Sequence, residues 1–151
     1  MGGDRGSAPS TESAVGRHRT VGGTLRAVST VLIATDVDRV HDEVDAAIGG
    51  DHELVRLHAG AEVRAAVLEH DPVLVVLDLQ IGNMGGMATC LDLRLEQRAD
   101  RLPDQRVVML LDRSADEWLA AQAEADAWLV KPIDPLALRR TVADLLANQP
   151  T

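Results

Sequence analysis

The segment PVLVVLD at residues 72–78 constrains the fold more than any other part of the sequence. Its five central residues, Val73 to Leu77, are all apolar. A strand with one face in solvent alternates apolar and polar residues, so this segment is predicted to be a strand that is buried on both faces. Such strands are typical of parallel sheets that helices cover on both sides.

The rest of the chain repeats this pattern, because apolar strand-like segments alternate with helical ones. Strands are predicted at 28–35, 52–58, 72–78, 106–112 and 127–130. Helices are predicted at 38–48, 59–70, 87–98, 114–125 and 134–148. This (βα)₅ alternation predicts an α/β fold with a doubly wound, parallel five-stranded sheet and the flavodoxin-like strand order 2-1-3-4-5.

Residues typical of helix starts support three of these helices. Ser114 is predicted to cap the fourth helix, with Glu117 completing a capping box. Asp134 is predicted to cap the fifth helix, with Pro135 at its first position. Asp38 is predicted to cap the first helix, the alternative being a place near a metal ion.

Helical spacing also predicts which side chains face the core. Leu91 and Leu95 form one stripe of the third helix, and Cys90 beside them is predicted to be a small buried residue. Leu68 is grouped with two valines on the apolar face of the second helix. Trp118 in the fourth helix has two possible roles, packing on the sheet or anchoring a partner at the surface.

The net charge and the cysteine content limit the classes of function that the sequence supports. Residues 1–29 hold four arginines against Asp4 and Glu12, so with a net charge of −9 the remaining residues carry −11. This acidity argues against binding of nucleic acid or of an anionic membrane surface. The single cysteine, Cys90, excludes a disulfide framework and favours the cytoplasm. No apolar run approaches the roughly 20 residues of a membrane helix, and no signal peptide is recognised.

The chain divides into two regions of different composition. Residues 1–27 are rich in Gly, Ser, Thr and Arg without periodicity, and they are predicted to be a disordered tail. Residues 28–149 hold all the predicted strands and helices and form one domain. The last helix ends close to Thr151, so no second domain is expected.

Polar residues stand where the predicted strands end. Thr35-Asp36 follows the first strand, Asp78 closes the third, Leu111-Asp112 ends the fourth and Lys131-Pro132 follows the fifth. The carboxyl ends of parallel strands lie along one edge, where α/β sheets bind ligands. If the first and third strands are neighbours, Asp36 and Asp78 converge there with Lys131 beside them.

This convergence has a chemical reason. Two neighbouring carboxylates repel unless a cation or a proton lies between them, and Mg²⁺ prefers oxygen ligands. A carboxylate such as Asp78 can accept a phosphoryl group as a nucleophile, and Lys131 would supply positive charge to the phosphoryl oxygens. The alternative for each residue alone is an ordinary role as a helix cap or a loop residue.

Three segments carry a resemblance to a known family. VLIATDVDRV, VLVVLDLQIGNMGG and AWLVKPIDP resemble the first strand, the phosphoacceptor strand and loop, and the fifth strand of the response-regulator receiver domain of two-component signalling. The resemblance covers residues 28–148. It implies the receiver fold, and it implies a signalling domain whose only chemistry is its own phosphorylation and dephosphorylation rather than an enzyme.

The resemblance implies a role for each site residue. Asp78 is the expected phosphoacceptor, and Lys131 is the expected phosphate contact. Mg²⁺ is expected to bind the carboxylates of Asp36 and Asp78 and the backbone carbonyl of Gln80. The peptide bond before Pro132 is expected to be cis.

Three positions of the site, 35, 111 and 112, depart from the family pattern, and the loop lacks the usual proline, with Gly82-Asn83 in its place. Thr35 replaces the first acid of the pair, which should weaken Mg²⁺ binding without abolishing it. Leu111 stands where the family has a hydroxyl, and Asp112 follows where a small residue is usual. Trp128 occupies the aromatic switch position. Leucine cannot donate a hydrogen bond to a phosphoryl oxygen, although Ser114 is close enough in sequence to be considered.

Two functions remain open from the resemblance. One is a stand-alone regulator that receives a phosphoryl group from a histidine kinase or a phosphotransfer protein. Its output would pass through protein contacts, either with a downstream partner or in a homodimer, at the surface of the fourth helix, fifth strand and fifth helix. The other is an atypical receiver that binds a protein without phosphorylation. A nucleotide-binding enzyme is disfavoured, because no G-x-G-x-x-G follows the first strand and no P-loop is present.

Overall fold

The structure, a computed structural model, describes residues 18–21 and 24–148, with side chains from residue 28 onward. Two short antiparallel strands come first, β1 (His18–Val21) and β2 (Thr24–Ala27). The sequence predicted no secondary structure in this part of the tail. Residues 1–17 of the predicted tail and 149–151 lie outside the described residues, and the boundary between tail and domain stays a prediction.

A five-stranded sheet forms the centre of the described chain. Its strands are β3 (Ser29–Ala34), β4 (His52–Leu57), β5 (Leu74–Asp78), β6 (Val107–Leu111) and β7 (Ala127–Val130). Neighbouring strands are parallel and lie in the order β4-β3-β5-β6-β7. Counted within this sheet alone, the order is 2-1-3-4-5, so the predicted doubly wound topology is confirmed.

Within the described part of the chain, five helices cover the two faces of the sheet. They are α1 (Asp38–Ile48), α2 (Val63–His70), α3 (Gly86–Arg98), α4 (Glu117–Gln122) and α5 (Pro135–Ala147). Short 3₁₀ helices at Gly60–Glu62 and Ser114–Asp116 lead into α2 and α4. Buried residues of α2, α3 and α4 share one core cluster with the sheet, and those of α1 and α5 share the other. No helix in the described part of the chain has the length and apolar character to cross a membrane.

The central strand is buried on both faces, as its sequence predicted. Val75 and Leu77 pack in the cluster beneath α2, α3 and α4, whereas Leu74 and Val76 pack in the cluster beneath α1 and α5. Burial of each such side chain contributes roughly 1.5–3 kcal/mol relative to an exposed position. Asp78 ends this strand at 1% exposure, so the apolar segment fixes the position of the carboxylate.

Of the three predicted helix caps, one is confirmed. The Asp134 carboxylate accepts a hydrogen bond from the Leu136 backbone N–H at 3.0 Å, and Pro135 begins α5. Ser114 does not cap α4, because a 3₁₀ turn begins at Ser114 and delays the α-helix to Glu117. Asp38 does not cap α1 either, because it is the first residue of the helix.

The predicted faces of two helices were partly wrong. Leu91, Leu95 and Leu68 are exposed by 39%, 58% and 62%. In α3 the buried face instead includes Cys90, whose predicted burial is confirmed. Trp118 of α4 is 65% exposed, which settles its position in favour of the surface.

Candidate functional site

The Asp78 carboxylate lies between a lysine and a threonine at the carboxyl edge of the sheet. Lys131 Nζ donates a hydrogen bond to Asp78 Oδ1 at 2.7 Å. Thr35 Oγ1 donates to Asp78 Oδ2 at 2.7 Å. The backbone N–H of Gln80 donates a further hydrogen bond to Oδ1 at 3.1 Å. Burying a charged group costs free energy unless it is paired and hydrogen-bonded, and here both carboxylate oxygens have partners.

The sheet sets the positions of these partners. Thr35 directly follows β3, and its backbone N–H donates to Leu57 O of β4 at 3.0 Å. Lys131 directly follows β7, and its backbone N–H donates to Leu111 O of β6 at 2.8 Å. Both residues therefore extend the strand ladder by one hydrogen bond, which explains why their side chains reach the same carboxylate.

Lys131 is shared between two acids. Its Nζ also donates to Asp112 Oδ1 at 3.1 Å. Burial alone would lower the pKa of the Lys131 ammonium, but the hydrogen bonds and negative charges of Asp78 and Asp112 outweigh this effect and raise the pKa above its usual value. Lys131 therefore stays charged at neutral pH.

Asp36 is exposed and faces the loop that follows Asp78. Its Oδ2 accepts a hydrogen bond from the Gly82 backbone N–H at 2.8 Å. The carboxylates of Asp36 and Asp78, with the carbonyl of Gln80, are the kind of oxygen donors that fit Mg²⁺. Among the described residues, no group of three or more His, Cys, Asp or Glu side chains is arranged to hold a metal ion. A site here would therefore rest on these few oxygen donors and water.

The loop after Asp78 is held by contacts with its neighbours. Gly82 O and Asn83 O accept backbone hydrogen bonds from Gly60 and Ala61 at 3.3 and 3.0 Å. Met84 O accepts a hydrogen bond from the Thr89 hydroxyl at 3.0 Å. These contacts hold the loop beside the Asp78 carboxylate.

Arg56 is a site residue that the sequence analysis missed. It comes from β4 and donates to Thr35 O from Nε and Nη2 at 3.3 and 3.2 Å. Its Nη1 donates to Asp38 Oδ1 at 2.8 Å. The hydrogen bond and positive charge of Arg56 hold the pKa of the Asp38 carboxyl below its usual value. The sequence offered one indication of this role. Arg56 lies near the end of a predicted strand, and that strand ends at the same edge of the sheet as Asp78.

Leu111 and Trp128, for which the resemblance implies a switching role, both lie against one core cluster. Leu111 is fully buried at the end of β6, in the same core cluster as Cys90. Trp128 is half-buried in β7 and packs against that cluster. The peptide bond between Lys131 and Pro132 is cis, in agreement with the expectation from the resemblance.

Comparison with known sequences finds response regulators among the relatives of this chain. No family model matches the chain. The response regulator Rre1 of Synechocystis sp. is 31% identical over 124 residues, a match that covers 80% of this chain and 52% of that protein. The chain spans about half the length of the curated relatives that it matches over most of its own length.

Solved structures show the same fold. The BeF3-activated N-terminal receiver domain of RstA from Klebsiella pneumoniae matches with a TM-score of 0.69 at 23% identity, over 80% of this chain and 100% of that one. The receiver domain of the sensor histidine kinase PA1611 from Pseudomonas aeruginosa, with a magnesium ion coordinated in its active site cleft, matches with a TM-score of 0.70 at 14% identity, over 81% and 100%. At these identities the likeness concerns the fold, and it confirms the predicted fold class.

Proposed function

This chain belongs to the receiver domains of response regulators, and from that premise we propose that Asp78 accepts a phosphoryl group. The donor in this proposal is a histidine kinase or a phosphotransfer protein. The observation that carries the proposal is the 2.7 Å contact between Lys131 Nζ and the buried Asp78 carboxylate. A buried carboxylate with an ammonium fixed beside it can act as a nucleophile. The ammonium is then already in place to pair with the negative charge of the phosphorylated product.

The proposed transfer is a displacement at phosphorus. A carboxylate oxygen of Asp78 forms the new P–O bond, and the bond between phosphorus and the donor's leaving group breaks with its electron pair. The Lys131 ammonium stabilises the negative charge of the transferred phosphoryl oxygens by hydrogen bonding. Phosphorylation also brings negative charge to a site where Asp36 and Asp112 already carry charge, so compensation is needed.

Mg²⁺ is the proposed source of that compensation. The oxygens that would hold it are the carboxylates of Asp36 and Asp78 and the backbone carbonyl of Gln80. A bound Mg²⁺ would supply positive charge to the phosphoryl oxygens. The exposed position of Asp36 supports this assignment, because a hydrated cation can reach it from solvent.

A second candidate function follows from the three departures at the site. Thr35 already donates to Asp78, Leu111 offers no hydrogen-bond donor, and Asp112 shares the Lys131 ammonium. A carboxylate with hydrogen-bond partners on both oxygens is stable without phosphorylation. The second candidate is therefore a receiver that binds its partner protein without phosphorylation.

Output and location belong to the proposal as well. The proposed regulator acts in the cytoplasm and signals through protein contacts, with a downstream partner or in a homodimer, rather than by binding nucleic acid or a membrane. Trp118 supports the surface of α4, β7 and α5 as the docking face, because a 65% exposed tryptophan is a typical interface anchor.

The decisive experiment is intact-mass measurement after incubation with acetyl phosphate and Mg²⁺. We expect the wild-type protein to gain the mass of one phosphoryl group and Asp78→Asn to gain none. Lys131→Met should fold but react more slowly. A folded wild-type protein that stays unmodified, both with acetyl phosphate and with a phosphorylated histidine donor, would favour the phosphorylation-independent binding module.

A further inference from the structure

The Thr35 hydroxyl is built into the site as a partner of Asp78. Thr35 is fully buried, and its Oγ1 donates to Asp78 Oδ2 at 2.7 Å. The same oxygen accepts a hydrogen bond from the Val37 backbone N–H at 3.1 Å. Because the Val37 N–H occupies an acceptor direction of the hydroxyl, the hydroxyl proton is left to point at Asp78.

Thr35 has little freedom to move away from this position. Its backbone N–H is fixed by Leu57 O at 3.0 Å, and its carbonyl accepts two hydrogen bonds from the Arg56 guanidinium at 3.3 and 3.2 Å. Arg56 is in turn paired with Asp38 at 2.8 Å. The backbone and the side chain of Thr35 are therefore both held, so the hydroxyl is directed at Asp78 by the surrounding structure.

The carboxylate of Asp78 has limited capacity for further partners. An ionised carboxylate offers about four lone-pair directions in total. Lys131 Nζ and the Gln80 N–H take two on Oδ1, and the Thr35 hydroxyl takes one on Oδ2. A cation that binds Asp78 must use the remaining direction or displace one of these donors. Of these three donors, Lys131 Nζ is charged and the Gln80 N–H belongs to the backbone, whereas the Thr35 hydroxyl is an uncharged side-chain group.

From this geometry we propose that Thr35 competes with a divalent cation for the Asp78 carboxylate and thereby sets the cation affinity of the site. This inference rests on the proposed function, in which Mg²⁺ binds at Asp36 and Asp78. It differs from a simple loss of a ligand at position 35. A missing ligand leaves affinity unchanged when the hydroxyl is removed, whereas competition makes the affinity rise.

The test is a calorimetric titration of the full chain with MgCl₂ at constant ionic strength, without any phosphoryl donor. Thr35→Val removes the hydroxyl at nearly constant shape, and Thr35→Ala removes it while leaving room for water. We expect both variants to bind Mg²⁺ about tenfold more tightly than the wild type, the factor that corresponds to about 1.4 kcal/mol. Thr35→Ser keeps the hydroxyl and should bind like the wild type.

Two controls locate the effect. Asp36→Asn in the Thr35→Val background should abolish the gain, since the cation is proposed to bind Asp36 as well. Thermal unfolding without Mg²⁺ reports whether each variant is folded before titration. If Thr35→Val is not folded, Thr35→Ala replaces it as the hydroxyl-free variant. Equal or weaker Mg²⁺ binding by both hydroxyl-free variants, or a Thr35→Ser variant that binds as tightly as Thr35→Val, overturns the proposal.

The outcome is separable from that of the phosphorylation experiment. If Asp78 is never phosphorylated but the hydroxyl-free variants bind Mg²⁺ more tightly, the competition stands and the proposed function fails. If Asp78 is phosphorylated but hydroxyl removal leaves Mg²⁺ affinity unchanged, the proposed function stands and the competition fails.

Discussion

Lys131 Nζ lies 2.7 Å from Asp78 Oδ1, and this contact joins the end of the central strand β5 to the end of the edge strand β7. The Asp78 side chain is 1% exposed, whereas that of Lys131 is 17% exposed. The carboxylate is thus the buried partner, and the ammonium is the partner that solvent and a phosphoryl group can reach. Stability and chemistry at this edge consequently depend on the same pair of charges.

Removal of Lys131 tests this dependence. We expect Lys131→Met to lower the free energy of unfolding by roughly 2–3 kcal/mol, because it leaves the Asp78 charge buried without its cation, and the cost is reduced by the partial exposure of the lysine. Urea unfolding at neutral pH measures the change. Asp78→Asn added to Lys131→Met should recover part of the loss, since the uncompensated charge is then gone. A double variant no more stable than Lys131→Met alone would contradict this account.

Gly86 is required by the close approach of α3 to the end of β5. A Cβ built on Gly86 would lie 2.6 Å from Asp78 O and 2.8 Å from Leu79 Cα, both of them backbone atoms. We expect Gly86→Ala to lower the free energy of unfolding by about 1–3 kcal/mol, the usual cost of overpacking. Gly85→Ala is the matched control, because its Cβ would meet neighbours only at 3.7 Å and beyond. Thermal unfolding that ranks the two variants equally would refute the steric argument.

Cys90 is expected to be inert in the native protein. Burial raises the pKa of its thiol to about 11, and its Sγ donates to Ala123 O at 3.1 Å. Because the thiolate is the reactive form, alkylation by iodoacetamide at pH 8 should be fast only after unfolding. The unfolded chain releases the thiol proton at lower pH than the native chain. The contribution to stability is therefore present at neutral pH and lost as pH rises from about 9 towards 11.

The control for this pH dependence is Cys90→Ala. This variant should lack the part of the loss of stability at alkaline pH that comes from the Cys90 thiol. It should keep the part that comes from deprotonation of Lys131. Rapid alkylation of the folded wild type, at a rate close to that of the urea-unfolded chain, would show that the thiol is accessible and ionised.

The apolar segment 72–78 predicted a strand buried on both faces, and the alternation of strands and helices along the chain predicted the topology. With the flavodoxin-like strand order, that topology also predicted that Asp78 and Lys131 lie close together. The rotation of α3 about its axis was not predictable in this way. Its buried face includes Arg94, whose guanidinium donates to Glu124 O, to Gln105 O and to the Asp126 carboxylate. A charged residue is buried there because its partners come from segments distant in sequence, so apolar spacing alone misplaced the exposed leucines.

The same limit applies at the site. The substitution of an acid by Thr35 was visible in the sequence, and it predicted weaker cation binding. The hydrogen bond from Thr35 to Asp78 was not visible, because it depends on the pairing of β3 with β5. The role of Arg56 depends likewise on the register between β3 and β4, which places Arg56 opposite Ile33 and close to the Thr35 carbonyl.

Substitution of the two tryptophans is expected to change the free energy of unfolding by different amounts, because the two side chains differ in exposure to solvent. Trp118 is 65% exposed on α4, so Trp118→Leu should change the free energy of unfolding by no more than about 0.5 kcal/mol, as most surface substitutions do. Trp128 packs against the core cluster beneath α2, α3 and α4, so Trp128→Leu should cost roughly 1–3 kcal/mol. Urea unfolding of both variants measures this difference.

Each variant also isolates the fluorescence of the other tryptophan. In Trp128→Leu the remaining Trp118 should emit at long wavelength and be strongly quenched by acrylamide, since its ring faces water. In Trp118→Leu the half-buried Trp128 should emit at shorter wavelength and be quenched less. If Trp118 becomes protected as protein concentration rises, the docking face joins two copies of this chain. Protection at the lowest concentration, with a loss of stability in Trp118→Leu, would instead contradict its position on the surface of the folded chain.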